Sequence, residues 1–163
     1  MGIGDWRSFF GAAAGAAAAL AGLIFVALSV NIAEVLKFEH LPDRAAATLG
    51  ALMLILTVSL ATLAPQPPLA LGLEVLAFSA GVWWLQVRSG IAALRSGQTY
   101  GRPRAESAIE LVTGQLQTLP FLVGGALLAA GLDGGLYWLA GGALTVFIFS
   151  VINAWVLLIE ILR

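Results

Sequence analysis

Cysteine is absent from this chain, and histidine and lysine each occur once, at His40 and Lys37. Without a thiol there is no disulfide, no thiolate nucleophile, no iron–sulfur cluster and no Cys-ligated zinc. One histidine cannot supply both axial ligands of a bis-His haem, and the single lysine lies outside the long apolar runs, so none is placed for a retinal Schiff base. Charge is scarce as well. Asp, Glu, Lys and Arg together make up 10% of residues, against roughly 25% in a soluble domain. A net charge of −1 leaves no basic footprint for nucleic acid. No P-loop or other Gly-rich phosphate motif is present, and no Ser–His or paired Asp lies within the apolar runs. The sequence therefore argues against an enzyme, a metal site or a bound cofactor.

Apolar residues fill the space that charge leaves, at 60% of the chain. A chain of this size cannot hide that much apolar surface in one small core, so lipid must cover the remainder. A membrane helix needs about 20 mostly apolar residues. The sequence predicts spans over 8–36, 45–64, 69–88, 108–131 and 136–162. The second and third are separated only by Pro65-Gln66-Pro67-Pro68, where proline can neither continue a helix nor donate a backbone hydrogen bond. An irregular cytoplasmic loop is expected over 89–107, and Asp133-Gly134-Gly135 reads as a short turn before the last span. The expectation is an all-α integral membrane protein, a single transmembrane domain over residues 1–163 built as a bundle of about five helices.

Threading five spans puts Lys37, Arg44, Arg88, Arg95, Arg102, Arg104 and Arg163 on one side and leaves Arg7 on the other. The positive-inside rule then places the N-terminus outside and the C-terminus in the cytoplasm. A cleaved signal peptide competes for residues 1–30. Its n-region would hold one Asp and one Arg, however, and the apolar run is longer than an h-region requires. The Ala, Gly and Arg bias suggests a GC-rich bacterial genome, hence a multi-pass protein of the inner membrane. Trp6, Tyr137 and Trp138 are expected at the outer interface and Trp83 and Trp84 towards the inner one, because amphipathic rings favour headgroup depth. Trp155 reads as deeper, packed between helices. His40, in the 37–44 loop, reads as a solvated side chain.

Membrane helices associate by close packing and polar contacts, since lipid is as apolar as leucine. Small residues at helical spacing mark candidate packing faces. Gly11, Gly15, Ala18 and Gly22 line the first span. Thr113, Gln117, Pro120, Gly124 and Gly131 line the fourth, and Gly135 and Gly142 align with Phe149, Asn153 and Glu160 on the fifth. These grooves suggest a homo-oligomer, or contact with another membrane protein.

Polar side chains at bilayer depth often mark ion or substrate paths. Asn31, Glu34, Glu110, Asn153 and Glu160 fall in the inner half or at the inner interface, where with Gln117, nearer the middle, they would form a vestibule open to the cytoplasm. Glu74 lies about one and a half turns inside the outer end of the third span, as a candidate cation site. Gln115 and Gln117 precede Pro120, where a kink frees carbonyl groups to line a cavity. Each also has a structural reading: the glutamates reach interfacial water or arginine, and the amides bond across helices at about 0.6–2 kcal/mol each. The chain lacks the Phe-Ser-Asp motif of lysosomal-type potassium channels and the Thr-Val-Gly-Tyr-Gly filter of tetrameric ones. Its Glu34 closes the first span, whereas small multidrug exporters carry their glutamate at the centre. Two functions follow: a homo-oligomeric ion channel or small-solute permeation protein, or a non-conducting structural or regulatory subunit packed against another membrane complex.

Overall fold

The computed structural model describes residues 6–36, 40–100 and 104–162. Every regular element among them is helical: α1 (Arg7–Val30), α2 (Ile32–Val35), α3 (His40–Leu63), α4 (Pro68–Tyr100), α5 (Arg104–Ala129) and α6 (Gly135–Leu162). Five segments are long and apolar enough to cross a membrane: Arg7–Val30, Ala45–Leu63, Pro68–Arg88, Val112–Ala129 and Gly135–Trp155.

Several boundaries differ from the sequence reading. The first apolar run is broken at Asn31, whose side-chain amide donates to the Ala27 carbonyl at 2.9 Å while its backbone N–H reaches the same oxygen at 3.3 Å. A short amide side chain competes with the helical ladder in this way. The 24 residues of α1 remain, about 36 Å of helix, enough for a bilayer core of about 30 Å with modest tilt. The expected irregular loop over 89–107 is largely helix instead, since α4 runs to Tyr100. Ile91-Ala92-Ala93-Leu94-Arg95 are adequate helix formers, and the isolated Gly90 and Gly97 cost only about 1 kcal/mol each. Gly101 and Pro103, the next breakers in the sequence, lie outside the described residues, and α5 begins at Arg104. Likewise α3 already starts at His40, inside the expected 37–44 loop.

Two compact units are distinguishable, residues 1–65 with 143–163, and residues 66–142. In the first, α1 packs on α3. The buried face of α1 is Phe10, Ala13, Ala14, Ala17, Ala21 and Ile24, with four alanines at its centre, which lets the α3 backbone come close. α3 buries Leu52, Ile55 and Val58 together with Thr48, Ser59 and Thr62. The Thr62 hydroxyl is satisfied by the Val58 carbonyl at 2.8 Å in its own helix. Val35 and Ala45, with Leu28, close the connection between the two helices. At the start of α1, Trp6, Phe9 and Phe10 form an aromatic cluster with centroids 5.2–6.2 Å apart, in which Phe9 meets both neighbours edge to face.

In the second unit, α4 and α5 pack antiparallel along their length. α5 stops at a Schellman motif. Gly131 adopts φ +76°, its N–H bonds the Leu128 carbonyl at 2.9 Å, and the Leu132 N–H reaches back to Leu127 at 2.9 Å. Gly131 therefore ends the helix rather than extending the packing face of the fourth span. Gly135 and Leu136 then donate to Leu132 and Asp133, which turns the chain into α6.

Candidate functional site

Glycine decides how the helices of the second unit meet. A methyl group on Gly72 would lie 2.8 Å from Ala129 Cα and 2.8 Å from the Gly125 carbonyl, so α4 and α5 touch backbone to backbone there. Consecutive residues Gly124 and Gly125 point to different neighbours, because successive helical positions are turned by about 100°. A Cβ at Gly125 would meet Leu76 and Val75 of α4 at 3.1 Å, whereas one at Gly124 would meet Leu139 Cδ2 of α6 at 2.6 Å. On α6, Gly135 sits against the Gly124 carbonyl and Leu128, and Gly142 sits against Phe121 and Pro120. Gly124, Gly135 and Gly142 are thus helix contacts within the chain.

Gly11, Gly15 and Gly22 are placed differently. All three are exposed, and a Cβ at any of them would find nothing within 4 Å. The glycine face of α1 is open, and alanine makes the contact with α3.

Where the glycines end, a polar seam begins between α4 and α5. The Trp83 indole N–H donates to Gln115 Oε1 at 2.6 Å. Thr118 Oγ1 lies 2.7 Å from Gln86 Oε1 and 3.0 Å from the Gly114 carbonyl. One hydroxyl proton serves one acceptor. Turning the Gln86 amide so that its NH₂ donates to Oγ1, while the hydroxyl donates to Gly114, satisfies both contacts. Ser79 continues the seam one turn above Trp83. It is fully buried, and its hydroxyl has no partner among the described residues. Ser79, Trp83 and Gln86 follow i, i+4, i+7 spacing on α4, and Gln115 and Thr118 follow i, i+3 on α5, so the pattern is present in the sequence. Reading Trp83 as an interfacial anchor hid it. Trp83 is half-buried and hydrogen-bonded across the hairpin, while Trp84, Tyr137 and Trp138 are exposed. Trp155 is also exposed, at 64%, and does not pack between helices.

The residues expected to line a path come from different segments of the chain. Asn31 caps the break after α1. Glu74 is exposed on α4 and accepts from the Gln66 amide at 3.0 Å. Gln117 is buried on the α5 face that carries Phe121, Gly124 and Leu128. Asn153 is half-buried on α6, and the Thr113 hydroxyl returns to its own helix at the Ile109 carbonyl. The side chains of Glu34, Glu110 and Glu160 lie outside the described residues. Among the described residues no group of three His, Cys, Asp or Glu side chains is arranged to hold a metal ion.

A groove of about 330 Å³ runs along α5 and is lined by Val112, Gln115, Leu116, Leu119, Pro120, Val123 and Trp138. Pro120 lacks an N–H, so the Leu116 carbonyl loses its usual helical donor. The remaining walls are almost entirely apolar, which suits a hydrocarbon neighbour and offers nothing to a hydrated ion. No protein family, characterised protein or solved structure matches this chain.

Proposed function

We propose that this chain is a homo-oligomeric, multi-pass protein of the bacterial inner membrane, with its N-terminus outside and its C-terminus in the cytoplasm, acting as a non-conducting structural or regulatory subunit through contacts between membrane helices. The orientation rests on the seven-to-one split of basic residues across five spans. One observation carries the functional part. Three amide side chains are committed to contacts inside the chain, Gln115 to Trp83, Gln86 to Thr118 and Asn31 to Ala27. A pore wall needs such groups turned to water, where they replace a hydration shell. Small-residue faces left open on α1 fit a partner-binding role better.

The conducting alternative has one specific support, the buried Gln117 one turn before Pro120. Ion flux from proteoliposomes separates the two. The expected result is no flux above empty vesicles for several cations and anions, in wild type and in Asn31→Leu and Gln117→Leu alike. Flux in wild type that changes with Gln117→Leu would overturn the non-conducting reading and assign the path.

A further inference from the structure

Two exposed helix faces carry opposite charges on the same side of the threaded chain. Arg7 opens α1 and is exposed, and Gly11, Gly15, Ala18 and Gly22 follow it within a narrow arc of the same helix face. On α4, exposed Glu74 shares a face with Ala77 and Gly81. A Cβ at Gly81, as at Gly11, Gly15 and Gly22, would meet nothing within 4 Å. Among the described residues the partner of Glu74 is the Gln66 amide, which leaves most of the acceptor capacity of the carboxyl group unused. An acidic group on an otherwise apolar face, within a span, is costly if lipid alone covers it.

The geometry points to a second copy of this chain as the occupant, with α1 of one protomer laid along α4 of the next and Arg7 paired with Glu74 across the contact. Charge complementarity makes the assignment. By the threading, Arg7 is the one basic residue on the outer side, and Glu74 is the acid nearest that side within a span. The two helices are the first and third spans, so they run in the same direction. In the register that brings the small residues of the two faces together, Glu74 falls opposite Gly11, one turn below Arg7 and within reach of its long side chain. The same alignment sets Gly15 against Ala77 and Ala18 against Gly81, so the backbones approach closely below the ion pair. The contact is heterologous, each copy using a different face, so it closes into a ring or extends along the membrane. This inference rests on the oligomeric part of the proposed function and names its interface.

The chain has no cysteine, so disulfide trapping is clean. The double variant Gly15→Cys/Ala77→Cys, oxidised mildly in native membranes, is expected to give a ladder of covalent dimers, trimers and higher species, with neither single variant doing so. Arg7→Glu in that background is expected to reduce the ladder at least several-fold, and the charge exchange Arg7→Glu/Glu74→Arg to restore it. Both cysteine positions are exposed, and circular dichroism with the molecular mass in nanodiscs confirms that each variant is folded. Helical protein that gives no ladder overturns the interface, as does a ladder indifferent to Arg7→Glu. Dimers from Gly15→Cys alone would also overturn it by showing an α1–α1 contact. Flux is read on the same samples: flux with the ladder intact defeats the non-conducting reading alone, and no ladder with no flux defeats the interface alone.

Discussion

Trp83 and Gln115 meet across the α4–α5 hairpin, with the indole nitrogen 2.6 Å from the amide oxygen. Both groups are polar handles in an apolar setting, and each would be left unpaired if the other were removed. A double-mutant cycle of Trp83→Phe and Gln115→Leu is expected to show a coupling of about 0.5–2 kcal/mol, the range found for hydrogen bonds between membrane helices. Reversible unfolding in mixed micelles reads it. Additive single effects would mean that the bond does not hold the hairpin.

Glycine packing gives a sharper contrast. Gly72→Ala and Gly124→Ala each force a methyl group against backbone or a packed leucine, so each is expected to destabilise the fold by about 1–3 kcal/mol. Gly81→Ala has open space and is expected to leave the stability of the monomer within about 0.5 kcal/mol of wild type. Equal effects at the three positions would contradict the arrangement.

Ser79 predicts the opposite sign. Its hydroxyl is buried without a partner among the described residues, so removing it relieves a desolvation cost. Ser79→Ala is expected to be neutral or stabilising by up to about 1 kcal/mol. A loss of more than that amount would reveal a partner for the hydroxyl.

Gly131 holds φ +76° at the end of α5, a conformation that costs an ordinary L-residue about 1–2 kcal/mol. Gly131→Ala is expected to lose about 1 kcal/mol, and Gly131→Asn less, since asparagine tolerates the left-handed region. The same unfolding measurement tests the order of the two.

Topology is testable with single cysteines on the natural cysteine-free background. Gly134→Cys, in the exposed turn before α6, is expected to react with a membrane-impermeant maleimide in intact cells. Ser96→Cys, on the extension of α4, is expected to react only after permeabilisation. The reverse pattern would invert the orientation drawn from the basic residues.

Length and composition made the five apolar helices legible, because a bilayer demands about 20 apolar residues whatever the neighbours are. The turn before α6 was legible too, since Asp133 followed by two glycines is a turn signal, whereas the left-handed role of Gly131 was not. Helix ends set by competition between local forces were less so. Asn31 had to choose between continuing a helix and bonding Ala27, and the segment after Arg88 contains no breaker strong enough to stop α4 before Gly101.

Sequence alone also determined which residues are small, polar or charged on each helical face, since that follows from the 3.6-residue period. Only the tertiary structure decided which of those faces are used. Gly124 and Gly125 are chemically identical neighbours, yet one admits α6 and the other α4. Gly11 and Gly15 lie in the more conspicuous motif, yet a Cβ at either would meet nothing within 4 Å among the described residues. Periodicity reports the chemistry of a surface. Its partner depends on how helices distant in sequence settle against one another, and in a membrane, where apolar burial favours no one face, close packing and a few hydrogen bonds such as Trp83–Gln115 make that choice.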